Sequence, residues 1–182
     1  MPYKHNDTKS GGVELFADSQ LRPLSQAHSQ FLFSDSIQVA DIIDWAVRQL
    51  GPSEVSVTSF SISEEFLRRL YILKQRGDIT SITLVLDHKA TQKTLKLWHF
   101  MAQVFDGIHI SSNHSKVLLV KGKKGAVSAV TSQNLTRGNR IESYAITDDP
   151  AVFGHLSSTL SGILRLRSVP FSELYAGAAY GD

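Results

Sequence analysis

Residues 113–143 read NHSKVLLVKGKKGAVSAVTSQNLTRGNRIES, and the alternation inside this stretch decides the fold. Two apolar runs, VLLV at 117–120 and AVSAV at 126–130, flank a Gly- and Lys-rich KGKKG segment, which is the pattern of two strands joined by a turn. The spacing predicts a β-hairpin. In a strand, successive side chains alternate faces, so His114 and Lys116 are expected on one side and Ser115 and Val117 on the other. Pairing of the hairpin carries Ser132 and Asn134, also two residues apart, back to the end that bears His114. IESYAIT at 141–147 alternates again, with Glu142 opening the strand. An imidazole, an ammonium, a hydroxyl, an amide and a carboxylate are thereby expected at one end of one sheet.

Upstream, the rhythm is strand, helix, strand, helix. Ile37, Ala40, Ile43, Val47 and Leu50 recur at helical spacing behind a Ser34-Asp35-Ser36 start signal, and Gly51-Pro52 stops the run. EVSVTSFS at 54–61 alternates as a strand. Ser63-Glu64-Glu65 then opens a helix with Phe66, Leu67, Leu70 and Leu73 on one face, ending at Gly77. ITSITLVL at 79–86 predicts a second strand, followed by a helix from Thr91 to Val104 that presents Leu95, Trp98, Met101 and Phe105. GIHISS at 107–112 is a further strand, and Ala151–Leu166 a closing helix. Helix-linked strands followed by hairpin-linked strands predict an α/β fold, a mixed β-sheet sandwiched between helices in a single domain. Residues 1–30 read as an N-terminal extension, 31–170 as the domain and 171–182 as a C-terminal tail.

Composition narrows the function classes. The 182 residues contain no cysteine, which excludes a disulfide framework, a thiolate metal site and a cysteine nucleophile. No apolar run reaches signal-peptide or membrane-spanning length, so the sequence reads as cytoplasmic with no membrane partner. The formal charge is +2, but Gly107–Ile141 holds Lys116, Lys121, Lys123, Lys124, Arg137 and Arg140 with no carboxylate, so the rest of the chain is net acidic. Such a field favours anions near that segment.

His114-Ser115-Lys116, Ser132-Gln133-Asn134 and the later Glu142 resemble the phospholipase D superfamily, whose signature is His-x-Lys, four residues, Asp, then Gly-Ser-x-Asn and a later Glu. The resemblance covers about residues 35–165 and departs at two positions: Lys121 stands where the motif has Asp, and Thr131 where it has Gly. It implies a phospholipase D-like fold and a metal-independent phosphodiesterase, with nucleic acid, DNA foremost, as substrate. In that scheme His114 is the nucleophile, Lys116 and Asn134 hold phosphate oxygens, Glu142 orients the imidazole and Ser132 supports them. The superfamily reaction uses two facing His-x-Lys motifs and this chain has one, so the resemblance implies a homodimer with a shared site. No metal or cofactor is needed. The rival from another class, motivated by Lys121, is an inactive module of the same fold that binds nucleic acid or a protein. Taken singly the residues have plainer readings: a packed strand histidine, an edge lysine, turn-forming Ser and Asn, and a surface Glu142 paired with Arg140.

Overall fold

The computed structural model describes residues 20–90 and 96–173. Eight strands form one mixed sheet: β1 (Ser29–Ser34), β2 (Ser53–Ser59), β3 (Ile79–Asp87), β4 (Gly107–Ser111), β5 (Val117–Gly122), β6 (Gly125–Thr131), β7 (Glu142–Thr147) and β8 (Ser168–Pro170). Their spatial order is β1-β7-β6-β5-β2-β3-β4-β8. β2, β3 and β4 run parallel, and every other neighbouring pair is antiparallel. The mixed sheet expected from the change of period at Gly107 is therefore present, with the hairpin closing at Gly122 opposite Gly125.

Helices α1 (Val39–Leu50), α2 (Glu64–Gln75) and α3 (Trp98–Val104) cover one face, and α4 (Pro150–Leu166) lies on the other. α1 starts later than the Ser34-Asp35-Ser36 signal suggests. Ser34 Oγ instead accepts the N–H groups of Ser36 and Ile37 in a turn, and the cap is Gln38, whose N–H donates to Asp41 at 2.7 Å. α2 begins where its sequence predicts: Ser63 accepts the N–H of Phe66, and Glu64 and Glu65 occupy the positive end of the helix. It stops because Gly77 takes a positive φ of 78°, which a side chain would resist. Of the helix expected over Thr91–Val104, the part at 91–95 with Leu95 lies outside the described residues, as do positions 1–19 and 174–182 of the expected ends. Trp98 stacks on Phe171 with ring centroids 4.1 Å apart. The main core sits between α1, α2, α3 and the sheet, around Trp45, Ile43, Leu67, Leu84 and Leu118. Among the described residues no helix is long and apolar enough to cross a membrane.

Candidate active site

Strands β2, β3 and β4 lead away from the middle of the sheet in one direction, whereas the chain returns to the other flank of β2 through β5. The crevice between the end of β2 and the start of β5 is thus a topological switch point, where open α/β sheets bind ligands. His114 lies there, on the segment between β4 and β5.

The strand that was expected to carry His114 and Lys116 begins only at Val117. The preceding residues are held by side chains instead of a regular ladder. Asn113 is 8% exposed, and its Oδ1 accepts the N–H of Ser115 at 3.1 Å and the Ser115 hydroxyl at 2.5 Å. Its Nδ2 donates to the carbonyls of Ser59 at 3.2 Å and Ser115 at 3.4 Å. Thr58 Oγ1 takes the N–H of Val117 at 3.0 Å and meets Ser115 Oγ at 2.8 Å. Such local side-chain bonds compete with the sheet for the backbone, which is why the ladder stops short of His114. Asp87, buried at the end of β3, accepts the N–H groups of Asn113 at 2.9 Å and Lys89 at 2.7 Å. Burial would raise the Asp87 pKa, but these donors, helped by the charges of His88 and Lys89, outweigh it and leave the pKa lowered. The loop is anchored from below while the His114 ring, exposed, rests against Phe60 at a centroid distance of 5.4 Å.

Lys116 Nζ donates to the carbonyl of His114 at 2.8 Å, so ammonium and imidazole are held in the same corner. Burial lowers the Lys116 pKa below the ordinary lysine value, and the Glu142 carboxylate opposes that shift. Glu142 opens β7 as expected, but its carboxylate accepts the Ser132 hydroxyl and is not bonded to the imidazole. The physical reason is the intervening strand: the segment leaving β6 runs between Glu142 and His114, and its Ser132 reaches the carboxylate first. Ser132 is itself fixed by N–H···O=C to Ser143 at 3.1 Å and by the Ser143 N–H at 3.0 Å. Tyr144, next along β7 on the same face, has its pKa raised by burial and by the charges of Glu142 and Asp41, and donates to the carbonyl of Ile37.

Asn134 lies beside β2. Its Oδ1 accepts the N–H of Phe60 at 3.3 Å and the Ser59 hydroxyl at 3.4 Å. Phe60 therefore touches both motifs, its ring against His114 and its amide on Asn134. Gln133, between the two motif residues, is 3% exposed and accepts the Val39 N–H at the start of α1 at 2.9 Å. The site is an open shelf: His114 and Ser132 are exposed, and Lys116, Asn134 and Glu142 are half-buried. Its groups suit a tetrahedral anion, since ammonium and amide donate while the carboxylate lies to one side. Among the described residues no three His, Asp or Glu side chains gather as a metal-ligand group.

Two sequence readings change here. Lys121 lies at the far end of β5, opposite Glu54 on β2 and Ala126 on β6. Five residue steps separate it from Lys116, about 17 Å. The basic segment that is continuous in sequence is thus split in space, with Lys121, Lys123 and Lys124 at the end of the sheet remote from His114. Arg140 is not the partner of Glu142, which Ser132 holds, and Arg137 reaches Glu65 at 3.3 Å. Sequence reasoning passed over Ser59, Phe60, Asp87 and Asn113; the one available signal was a carboxylate ending the apolar run ITSITLVL.

No protein-family model and no curated protein sequence matches the chain. Solved structures do. Nuc from Salmonella typhimurium, a phospholipase D family member, superposes with a TM-score of 0.61 at 14% identity, over 78% of this chain and 96% of that one. NucT from Helicobacter pylori gives 0.59 at 11% identity, over 76% and 98%. TrmBL2, an archaeal chromatin protein described with a novel mode of DNA binding, gives 0.55 at 9% identity, over 78% of this chain and 54% of that one. The chain has the phospholipase D fold, and at these identities it is the fold that the likeness establishes.

Proposed function

We propose that this phospholipase D-type domain is a metal-independent phosphodiesterase, a nuclease acting on DNA, with His114 as nucleophile at a site completed by a second copy of the chain. The observation that carries the reading is the convergence of His114, Lys116, Ser132, Asn134 and Glu142 from three segments on one sheet end. An imidazole nitrogen attacks phosphorus, the P–O bond to the leaving strand breaks, and the leaving oxygen takes a proton from the partner's His114. Water then attacks the phosphohistidine, giving up its proton to that same partner imidazole, and the P–N bond breaks to release a phosphomonoester. Lys116 and Asn134 donate to the nonbridging oxygens, where charge builds up, and need no rearrangement to do so. Ser132 fixes Glu142, whose charge opposes the lowering of the Lys116 pKa by burial.

Nucleic acid is the favoured substrate because the shelf is open on the side of His114, so a long polyanion can lie across it, with Lys116 beside the imidazole as a cation. The DNA binding described for the TrmBL2 structure points the same way. Lys121 does not weaken the reading, since it stands near the far end of β5, about 17 Å along the chain from Lys116. The chain's lack of cysteine suits a reducing, cytoplasmic setting.

The test is direct. Purified protein is expected to cleave single- or double-stranded DNA in the presence of EDTA. Binding without cleavage under any condition would establish the inactive module instead, and cleavage abolished by chelation would overturn the metal-free chemistry. A further expectation concerns pH. Glu142→Gln removes the charge that opposes the desolvation of Lys116, so the Lys116 pKa falls further below its ordinary value. The ammonium holds phosphate below that pKa and ceases to above it, so the alkaline limb of kcat/KM moves to lower pH in the variant. An unchanged alkaline limb would separate Lys116 from phosphate binding.

A further inference from the structure

The hairpin lysines, Lys121, Lys123 and Lys124, take no part in the His114 site, and the end of the sheet they occupy is concave. A cavity of about 820 Å³ opens there between the hairpin tip, the last turn of α1, residues 24–28 ahead of β1 and the start of α4. Small-molecule sites span about 300–1,000 Å³, so the volume is that of a ligand site. The backbone holds the tip in place. Lys124 N–H donates to the Leu50 carbonyl at 3.3 Å, and a Cβ on Gly122 would lie 2.7 Å from that same oxygen, so glycine is what lets the hairpin seat this closely on α1. Gly125, at a φ of 143°, closes the turn opposite Gly122. Lys123 and Lys124 are the two residues between, and the seat on α1 fixes their backbone beside the cavity that they line together with Lys121.

The elements around the cavity contribute different chemistry. The hairpin brings three ammonium groups on exposed residues, and among the described residues none of them has a carboxylate within ion-pair distance. Asp148 is the one carboxylate of the wall, and it is engaged: its two oxygens lie 3.2 and 3.0 Å from His28 Nδ1. Asp149, the next residue, accepts the N–H groups of Ala151 and Val152 as the cap of α4. Glu54 stands opposite Lys121 on β2 without lining the cavity. α1, α4 and the segment ahead of β1 bring apolar surface instead: Leu50, Pro150 with Phe153, and Leu24. Phe153 is half-buried and packs on the Val85, Leu119 and Leu160 cluster, which fixes it as a wall. Unpaired cations in a cleft with low-dielectric walls focus the field on an anion, and the apolar remainder calls for a ligand that is more than an anion.

We propose that this cavity binds a nucleoside diphosphate, with the phosphates on Lys121, Lys123 and Lys124 and the base on the apolar wall of Leu24, Leu50 and Phe153. Charge sets the number of phosphates. A single phosphomonoester carries about −1.5 to −2, which leaves three ammonium groups incompletely neutralised, and a second phosphate makes up the difference. Lysine binds phosphate as a point charge with three rotatable donors, so it serves a flexible diphosphate without demanding a fixed bidentate geometry. The base accounts for the apolar wall, since bases stack on aromatic side chains whatever their identity. A compact ligand is favoured over a polynucleotide because four segments wall the cavity, whereas a long chain needs an open track such as the shelf at His114. The two sites lie at opposite ends of the sheet, so this one stands or falls without the phosphodiesterase reading.

Calorimetric titration of the full chain with ADP at low ionic strength, where exposed charges are least screened, tests this. The wild type is expected to bind one ADP per chain. The Lys123→Gln/Lys124→Gln variant is expected to bind at least about 30-fold more weakly with unchanged circular dichroism, since both side chains are exposed. Inorganic pyrophosphate supplies the two phosphates without the base, and is expected to bind at least about tenfold more weakly than ADP. His114→Ala is expected to bind ADP as the wild type does, and the lysine variant to cleave DNA as the wild type does, so that this site and the nuclease reading fail in separate measurements. No binding of ADP at millimolar concentration, or affinity that the lysine variant retains, overturns the site. Pyrophosphate binding as tight as that of ADP overturns the nucleoside as ligand. Loss of ADP binding in His114→Ala would place the nucleotide at the other end of the sheet, and loss of DNA cleavage in the lysine variant would assign the lysines to the track of a polynucleotide; either overturns the proposal.

Discussion

His114→Ala is expected to reduce DNA cleavage in EDTA by at least about 10⁴-fold, because in a symmetric shared site one substitution removes the nucleophile and the general acid together. Stability should change little. The ring is exposed and its contact with Phe60 is a single tilted pair, so thermal unfolding within about 2 °C of wild type is the expectation. The decisive form of the experiment mixes subunits. When wild type and His114→Ala are exchanged in equal amounts, dimers distribute statistically, and only those with two intact subunits retain both imidazoles. Activity per wild-type chain should then fall to about half, and total activity to about a quarter of the all-wild-type value. Independent sites would leave about half of the total. A total near one half, with exchange verified by labelled subunits, would show that each chain carries a complete centre, and the partner imidazole would have to be replaced as acid by some other group.

How much of this was legible in the sequence follows from the range of each interaction. α2 was readable because its signals are local: Ser63 caps it, the apolar positions repeat within it and Gly77 ends it. The hairpin was readable for the same reason, and once β5 and β6 pair, the return of Ser132 and Asn134 to the His114 end is geometry. The state of Glu142 was not readable, since choosing between imidazole and hydroxyl as its partner requires knowing what leaves β6 between them. β1 and β8 went unread because each owes its pairing to a strand more than fifty residues distant, β7 in one case and β4 in the other. The basic segment misled for a related reason: adjacency along an extended chain is separation in space, so Lys116, just before β5, lies far from Lys121 near that strand's other end. Ser59 was read only as part of a strand, although its two polar groups serve two different loops.

That division of labour at Ser59 yields the second large effect. Asn113→Leu is expected to destabilise the fold by about 3 kcal/mol, because it strands the Ser59 carbonyl and the Ser115 N–H without partners, at about 1–3 kcal/mol each. For a chain of this length the melting temperature should fall by about 6–12 °C. Activity should fall more than stability, about 10²-fold at a temperature where the variant is fully folded, since His114 is the next residue and displacements near 1 Å carry losses of that size. Ser59→Ala provides the contrast. It keeps the carbonyl that Asn113 uses and removes the hydroxyl that bonds Asn134 at 3.4 Å, the Leu135 N–H at 3.1 Å and the Ser61 carbonyl at 2.7 Å, so it loosens the Ser-x-Asn loop and the turn after β2 while leaving the Asn113 anchor in place. If Asn134 holds phosphate and His114 attacks it, Ser59→Ala should weaken the binding of a phosphodiester, whereas Asn113→Leu should chiefly slow formation of the phosphohistidine. Equal effects of the two substitutions on both steps would mean that the loops move as one body and that their separate anchors have no separate roles.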